Sequence, residues 1–404
     1  MDRNKTSLTN IQKRLILSNA FRAVFEIFMS TFIIVLIVNA ANNPELSTGF
    51  FQILNNFFVW LGFVVLAKFI KRSINSRMIC YRIGLAFAIL LLCVMVFFNT
   101  MNNLYLIAIF FGTYAAFFWS AYNTLIADIL TLKQMTKFAN YDETVKGMVK
   151  VIAPLCSGFL ITYTSFSLTA ALIIPMMCAT LFLSFDIKDN GKVATNNNCI
   201  EFGRFWKIAH KNRHILRTYF IEFLLGITTY GAMLTITTMY ATKLFGTPDR
   251  VGAVISIAGI VMIVAQFFIA RYGQAQHQIK LLGISGIAFF IVAAIFFVME
   301  NQFVFIIYNA IYVLMYKFLN TTCTMFMFKG LDVAKIDARY NTEYMVIRES
   351  FLNAGRFVGF GALIFVGMVD FASGLKYLLL SMVLCLAVIM ILIFRINKEH
   401  EQKF

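Results

Sequence analysis

Isolated charged residues inside long apolar runs are the feature of this sequence most able to do chemistry. An ionisable group at membrane depth costs about 2.5–3.5 kcal/mol on insertion scales, so it persists where it faces a cavity or a partner. Arg22 and Glu26 lie one helical turn apart, and Ser18, Asn19 and Ser30 extend their polar stripe. Glu222 has no Lys or Arg within a turn on its own face. Glu349, Asn353 and Arg356 share a direction, since Asn353 falls about 40° and Arg356 about 20° from Glu349 around a helix. Asn309, Tyr316 and Asn320 form a line with Lys317 beside it. Exclusion of water favours the neutral form of a carboxylic acid, which makes Glu26, Glu222 and Glu349 candidate proton carriers. Guanidinium groups pair with carboxylate and phosphate, which makes Arg22 and Arg356 candidate contacts for a substrate. Asn309, Tyr316, Lys317, Asn320, Asn353, Asn55, Trp119 and Asn123 complete the candidate binding set. The competing reading is a structural ion pair for Arg22 with Glu26 and for Glu349 with Arg356, and for Glu222 a place near the inner headgroups from which it reaches water. For Lys317 the partner would be an acid on another helix. Arg348 is expected to snorkel to the membrane surface.

These residues need elements that hold them at depth. Of 404 residues, 60% are hydrophobic and only 13% are charged. One aqueous core cannot hide that much apolar surface, which excludes an ordinary soluble enzyme, a disordered scaffold and a fibrous chain. About 20 apolar residues span a bilayer as a helix. Twelve such runs are read: 15–39, 47–70, 78–99, 102–127, 145–164, 166–186, 216–241, 249–271, 280–299, 302–323, 344–369 and 373–395. The divisions at Asn99–Asn103 and Thr164–Ser165 are the faintest. Glu26 then lies about 16 Å from Leu15 and Arg356 about 18 Å from Tyr344, both near mid-membrane. Gly355 and Gly359 form a Gly-x-x-x-Gly pair on a separate face of their helix, suited to close packing. The first apolar run is too long for a cleavable signal segment.

Lys and Arg total 35 against 19 Asp and Glu, a net charge of +16. Apart from Arg22, Lys317, Arg348 and Arg356 inside spans, all but Lys243, Arg250 and Lys376 fall on the side of the termini. The positive-inside rule puts both termini in the cytoplasm. The spread of basic residues over many short loops suits anionic lipid and disposes of a nucleic-acid partner. Residues 187–215 form the longest polar stretch, a cytoplasmic linker between 1–186 and 216–404. Phe202, Phe205, Trp206 and Ile208 would make an amphipathic helix on the inner leaflet. The seven cysteines contain no Cys-x-x-Cys pair, and the four histidines sit in polar loops or the tail, so neither disulfide, metal site nor cofactor is expected. Gly-x-Ser-x-Gly and phosphate-binding loops are absent, which counts against an enzyme. Mixed-sign charges without a repeated polar ring count against a channel.

Twelve spans, a central linker and two six-helix halves resemble the major facilitator superfamily of secondary transporters. Gly62 with Lys68-Phe-Ile-Lys-Arg72 stands where that family carries its Gly-x-x-x-Asp-Arg-x-Gly-Arg-Arg loop, here without the acidic residue. Ala153-Pro154-Leu-Cys-Ser157-Gly158 resembles the Gly-Pro-x-x-Gly-Gly of exporters. The resemblance implies an all-α membrane protein of two pseudo-symmetric bundles that works by alternating access. The expected activity is proton-coupled export of an amphipathic small molecule by a monomer, in contact with membrane lipids and without cofactor. Uptake of an anionic nutrient and flipping of a lipid or lipid-linked saccharide are the alternatives. The Lys/Asn/Ile/Phe-rich composition suggests a bacterial cytoplasmic membrane.

Overall fold

The architecture comes from a computed structural model that describes residues 10–72, 74–129, 132–185, 200–229, 231–271, 275–333, 340–369 and 373–401. Among them there are helices and turns but no strand. Inside a bilayer a helix satisfies its own backbone polar groups, and this chain has the apolar length to do so many times. The first span is α1 (Asn10–Ile27), a π-turn at Phe28–Phe32 and α2 (Ile33–Ala40). Then come α3 (Pro44–Arg72), α4 (Ile74–Phe97), α5 (Leu104–Ile129), α6 (Leu132–Tyr163) and α7 (Phe166–Phe185). A short α8 (Phe202–Ala209) precedes α9 (Arg213–Ile227) and α10 (Ala232–Phe245), which share one span. The rest are α11 (Pro248–Arg271), α12 (Ala275–Met299), α13 (Gln302–Val333), α14 (Asn341–Val369) and α15 (Gly374–Glu401). Among the described residues, twelve spans are long and apolar enough to cross a membrane. Their outward faces are apolar, with Phe182 at 73%, Ile284 at 68% and Val298 at 84% exposure, a surface that only lipid tolerates at this density. The protein is a multi-pass membrane protein.

Polar side chains punctuate the helices. Asn43 Oδ1 accepts from Leu46 N (2.9 Å), with Pro44 and Glu45 in the first turn of α3. Asn99 Oδ1 takes Met101 N (3.0 Å), and Ser165 Oγ takes Leu168 N (3.0 Å). The two faintest divisions in the sequence are thus capped turns. Several helices overrun their apolar cores. α6 begins at Leu132 rather than 145, and α13 continues to Val333 rather than 323. Helical hydrogen bonding does not stop where hydropathy does.

The seventh span breaks where the apolar pattern predicts continuity. Thr228 (φ −102°, ψ −103°) and Gly231 (φ −133°, ψ −118°) leave the helical region. A Cβ on Gly231 would lie 2.0 Å from Gly226 O, so the turn closes this tightly only around a glycine. A Cβ on Gly231 would also lie 3.2 Å from the Arg356 side chain, so the break accommodates that residue's stem.

Close backbone approach fixes two crossings. A Cβ on Gly355 would lie 2.0 Å from Phe223 O, and one on Gly226 would lie 2.1 Å from Leu352 O, so α14 and α9 meet backbone to backbone. A Cβ on Gly252 would lie 2.3 Å from Pro154 O, and one on Gly158 would lie 2.5 Å from Pro248 O, which seats α11 against α6. The Gly355 face packs as its pattern implied.

The expected interfacial helix forms at Phe202–Ala209, but its role differs. Phe205 is fully buried, 5.8 Å ring to ring from Tyr340, and its cluster continues through Tyr344 and Tyr219. Trp206 and Ile208 remain exposed. α8 therefore clamps onto the start of α9 and α14 with one face, instead of giving its whole apolar face to lipid. The part of the expected linker at 186–199 lies outside the described residues. α8 lies at the end of the bundle where α1 begins and α15 finishes, hereafter the basic end.

Candidate functional site

The charge on α1 sits in an aromatic box. Arg22 is 1% exposed and pairs with Glu26 one turn along. Its guanidinium carbon lies 4.5 Å from the Phe118 ring centre and 4.7 Å from that of Trp119, both on α5, in cation–π range. Tyr114 Oη, on the same helix, donates to Glu26 Oε1 (3.0 Å). A buried arginine is thus held by one carboxylate and ring faces. Any group that loads or discharges Glu26 changes the balance around Arg22. The same helix reaches α6 through Asn19, whose Nδ2 donates to Asp142 Oδ1 (2.7 Å) and to the Tyr122 hydroxyl.

α6 carries the polar groups on which the sequence reading was silent. Asp142 Oδ2 pairs with Lys146 Nζ (2.5 Å). Glu143 Oε2 pairs with Lys317 Nζ (2.7 Å) on α13. The acid that Lys317 requires is therefore 174 positions away in sequence. Lys150 Nζ reaches the Met262 sulfur of α11 at 3.4 Å. Around these groups α6, α11 and α13 enclose a cavity of about 220 Å³. Asp142, Glu143, Lys146 and Lys150 stand in the first turns of the fifth span, where the apolar pattern is faint. Their i, i+4 and i, i+3 charge spacing was the available signal of a helix running on beyond the apolar core.

On the far side of the bundle one expectation is overturned. Arg348 does not snorkel. Its Nε donates to Glu222 Oε1 at 2.8 Å, and Glu222 is 3% exposed. A buried carboxylate recruits a cation from the neighbouring helix because leaving it alone costs more than drawing a long side chain inward. Glu349 lies 3.6 Å from the same guanidinium, at Nη1. Asn353 Nδ2 donates to the Glu349 carbonyl (2.8 Å), while its Oδ1 accepts from Arg356 Nη1 (3.1 Å). The three residues do share a face, but the carboxylate of Glu349 turns to Arg348 and the amide of Asn353 serves Arg356.

The remaining candidates scatter. Asn309 is buried on α13, and Tyr316 stacks on Tyr312 with ring centres 6.2 Å apart. Asn320 is half-buried one turn beyond Tyr316. Asn55 is buried on α3 with its side-chain oxygen unmatched. Trp119 belongs to the Arg22 box. Asn123 is on α5, but its side chain lies outside the described residues. Arg22, Glu26 and Trp119 come together, as do Glu222 with Glu349 and Glu349 with Asn353 and Arg356. Lys317 joins α6 instead of its own line.

Twelve spanning helices with ion pairs buried between them match one family. The profile of the Major Facilitator Superfamily matches residues 15–360. The chain belongs to the Major Facilitator Superfamily. Members of this superfamily are transport proteins rather than enzymes, and their fold supports alternating access. A bacterial homologue of the iron transporter ferroportin, solved facing inward, is similar over 96% of this chain and 99% of its own, with a TM-score of 0.66 at 14% identity. A nucleoside transporter is similar over 96% and 100%, with a TM-score of 0.63 at 15% identity. Among sequences, Multidrug resistance protein 2 of Bacillus subtilis (strain 168) is 26% identical over 181 residues, 42% of this chain and 43% of that protein. The aligned part thus spans less than half of that relative.

Proposed function

We propose that this transporter exports amphipathic small molecules from the cytoplasm, driven by inward movement of protons. The observation that carries the reading is Glu26. It is a carboxylate deep in the first span, 26% exposed, held by Arg22 and by the Tyr114 hydroxyl. A proton arriving on Glu26 removes the counter-charge of Arg22, and a substrate that competes for either group couples its own binding to that proton. The multidrug relative in Bacillus subtilis supports the export direction. The aromatic faces of Phe118 and Trp119 supply apolar contact for an amphipath. Residues 1–186 and 216–404 are the two bodies that rock about the site, joined by 187–215, with both termini in the cytoplasm of a bacterial cell and the protein working as a monomer. The N-terminal body supplies Arg22 and Glu26. The C-terminal body supplies Glu222, Glu349, Asn353 and Arg356 as further proton and substrate contacts.

The test is flux in proteoliposomes under an imposed pH gradient, with an anionic and a cationic fluorescent amphipath of matched apolar area. The expected result is gradient-driven accumulation of at least one of them. Glu26→Gln should make that flux independent of the gradient. The reading is overturned if the gradient changes neither flux in the native protein. Uptake of an anion gains support from the lysines of α6 and α13, and the direction of flux separates it from export.

A further inference from the structure

The geometry points to the cavity between α6, α11 and α13 as a binding site for a monoanionic amphipath, one negative head group on an apolar body. This deepens the export reading and rests on it for the fate of the ligand. Three lysines line the cavity with one carboxylate, Glu143, and Asp142 reaches one of those lysines from outside the lining. Lys317 is matched by Glu143 at 2.7 Å, and Lys146 by Asp142 at 2.5 Å. Lys150 is the remainder. Its Nζ meets the Met262 thioether at 3.4 Å. A thioether is a weak acceptor and carries no charge, and Glu143, the carboxylate that acts most on Lys150, already pairs with Lys317, so this ammonium is only partly compensated. The paired carboxylates are already committed, so an anion brought from outside the chain would supply the complementary charge. A second lone positive group would have suited a dianion, but among the described residues lining the cavity there is one.

The surroundings fix the rest of the ligand. About 220 Å³ is too large for one ion and fits a head group with part of a chain. Ile263 and Phe267 form an apolar wall on α11. Phe267 is 62% exposed and Thr144 is also exposed, so one rim of the cavity lies at the outer surface of the bundle. Glu143 and Lys150 fall within the first three turns of the fifth span, which starts at Tyr141 at the basic end. An amphipath partitioned into the adjoining leaflet could enter with its head at Lys150 and its tail toward Phe267. Both a free amphipathic anion and an anionic phospholipid present this chemistry.

The experiment measures binding to the full-length protein in a neutral detergent by calorimetry. The probes are decanoate, decanol, decyltrimethylammonium and short-chain phosphatidylglycerol. Decanoate should bind at least tenfold more tightly than decanol, and decyltrimethylammonium should not compete with it. Lys150→Met, which keeps an unbranched chain one atom shorter and removes the charge, should weaken decanoate tenfold or more, a fold-change typical of a lost charge-assisted contact. Lys150→Arg should retain it. Competition by phosphatidylglycerol would identify lipid as an occupant, and its absence would identify free amphipaths. The proposal is overturned if decanol matches decanoate in the native protein, a comparison that needs no variant. It also fails if a folded, monodisperse Lys150→Met binds decanoate as the native protein does. If Lys150-dependent binding is found while the gradient moves neither decanoate nor the cationic amphipath in proteoliposomes, the site stands and the export reading falls. Gradient-driven flux of a cationic amphipath without decanoate binding gives the reverse.

Discussion

Glu222 and Arg348 show what one residue's surroundings decide. The carboxylate is almost fully buried, and the 2.8 Å contact to Arg348 Nε supplies its compensating charge. Breaking a buried pair by removing one partner costs about 3–5 kcal/mol, whereas replacing both by apolar groups is often close to neutral. Arg348→Met should therefore lower the unfolding temperature in detergent by several degrees, and Glu222→Leu with Arg348→Met should recover most of the loss. Additive losses in that double-mutant cycle would show that the pair is not coupled. Sequence identified Glu222 as costly at depth but assigned Arg348 to the membrane surface. Helical periodicity reports which residues share a face, and 126 positions of intervening chain decide which faces meet. The same limit hid Glu143 as the partner of Lys317. It did not hide Arg22 and Glu26, because their pairing lies within one turn.

At the scale of the helix, small residues decide how closely neighbours approach. Gly355 was legible as a packing position from its spacing to Gly359, and the contact with Phe223 O bears that out. Gly231 was not legible, because the break it permits lies inside a 33-residue run that is apolar on average. The π-turn at Phe28–Phe32 was hidden for the same reason, as hydropathy carries no record of hydrogen-bond register. The close crossing gives a contrast within one helix. A Cβ at Gly355 would sit 2.0 Å from a backbone oxygen, whereas a Cβ at Gly361 would meet nothing within 4 Å. Gly355→Ala should push α14 from α9 and reduce both folded yield and thermal stability. Gly361→Ala removes a helix-interior glycine worth about 1 kcal/mol, so it should be neutral or stabilising. Equal effects of the two variants on unfolding temperature would rule out the close crossing as the determinant.

For the whole molecule, the relevant contacts are those that join the helices before α8 to those after it, because alternating access requires them to break in turn. Toward the basic end these include Glu143–Lys317 at 2.7 Å and Trp60 Nε1 donating to Ser350 Oγ at 3.1 Å. At the opposite end Glu45 meets Lys243 (2.7 Å), Asn43 Nδ2 donates to the Gly367 carbonyl (2.8 Å) and Thr162 Oγ1 donates to Asp249 Oδ1 (3.2 Å). The two ends differ in strength. Lys243 is 45% exposed, and an exposed pair is worth about 0.2–1 kcal/mol, enough to shift a two-state balance up to about fivefold. Lys317 is 7% exposed, so loss of its carboxylate leaves a buried charge that water must reach. Glu143→Gln should therefore favour the state open at the basic end far more than Glu45→Gln favours the state open at the other. The measurement is the distance distribution between spin labels on paired helices at each end. Glu143→Gln should lengthen the distance between labels near Trp60 and Ser350, and Glu45→Gln should lengthen modestly the one between labels near Asn43 and Gly367. If Glu143→Gln leaves the basic-end distribution unchanged, the pair is a static brace, and the gate at that end must be sought among other contacts between the two sets of helices.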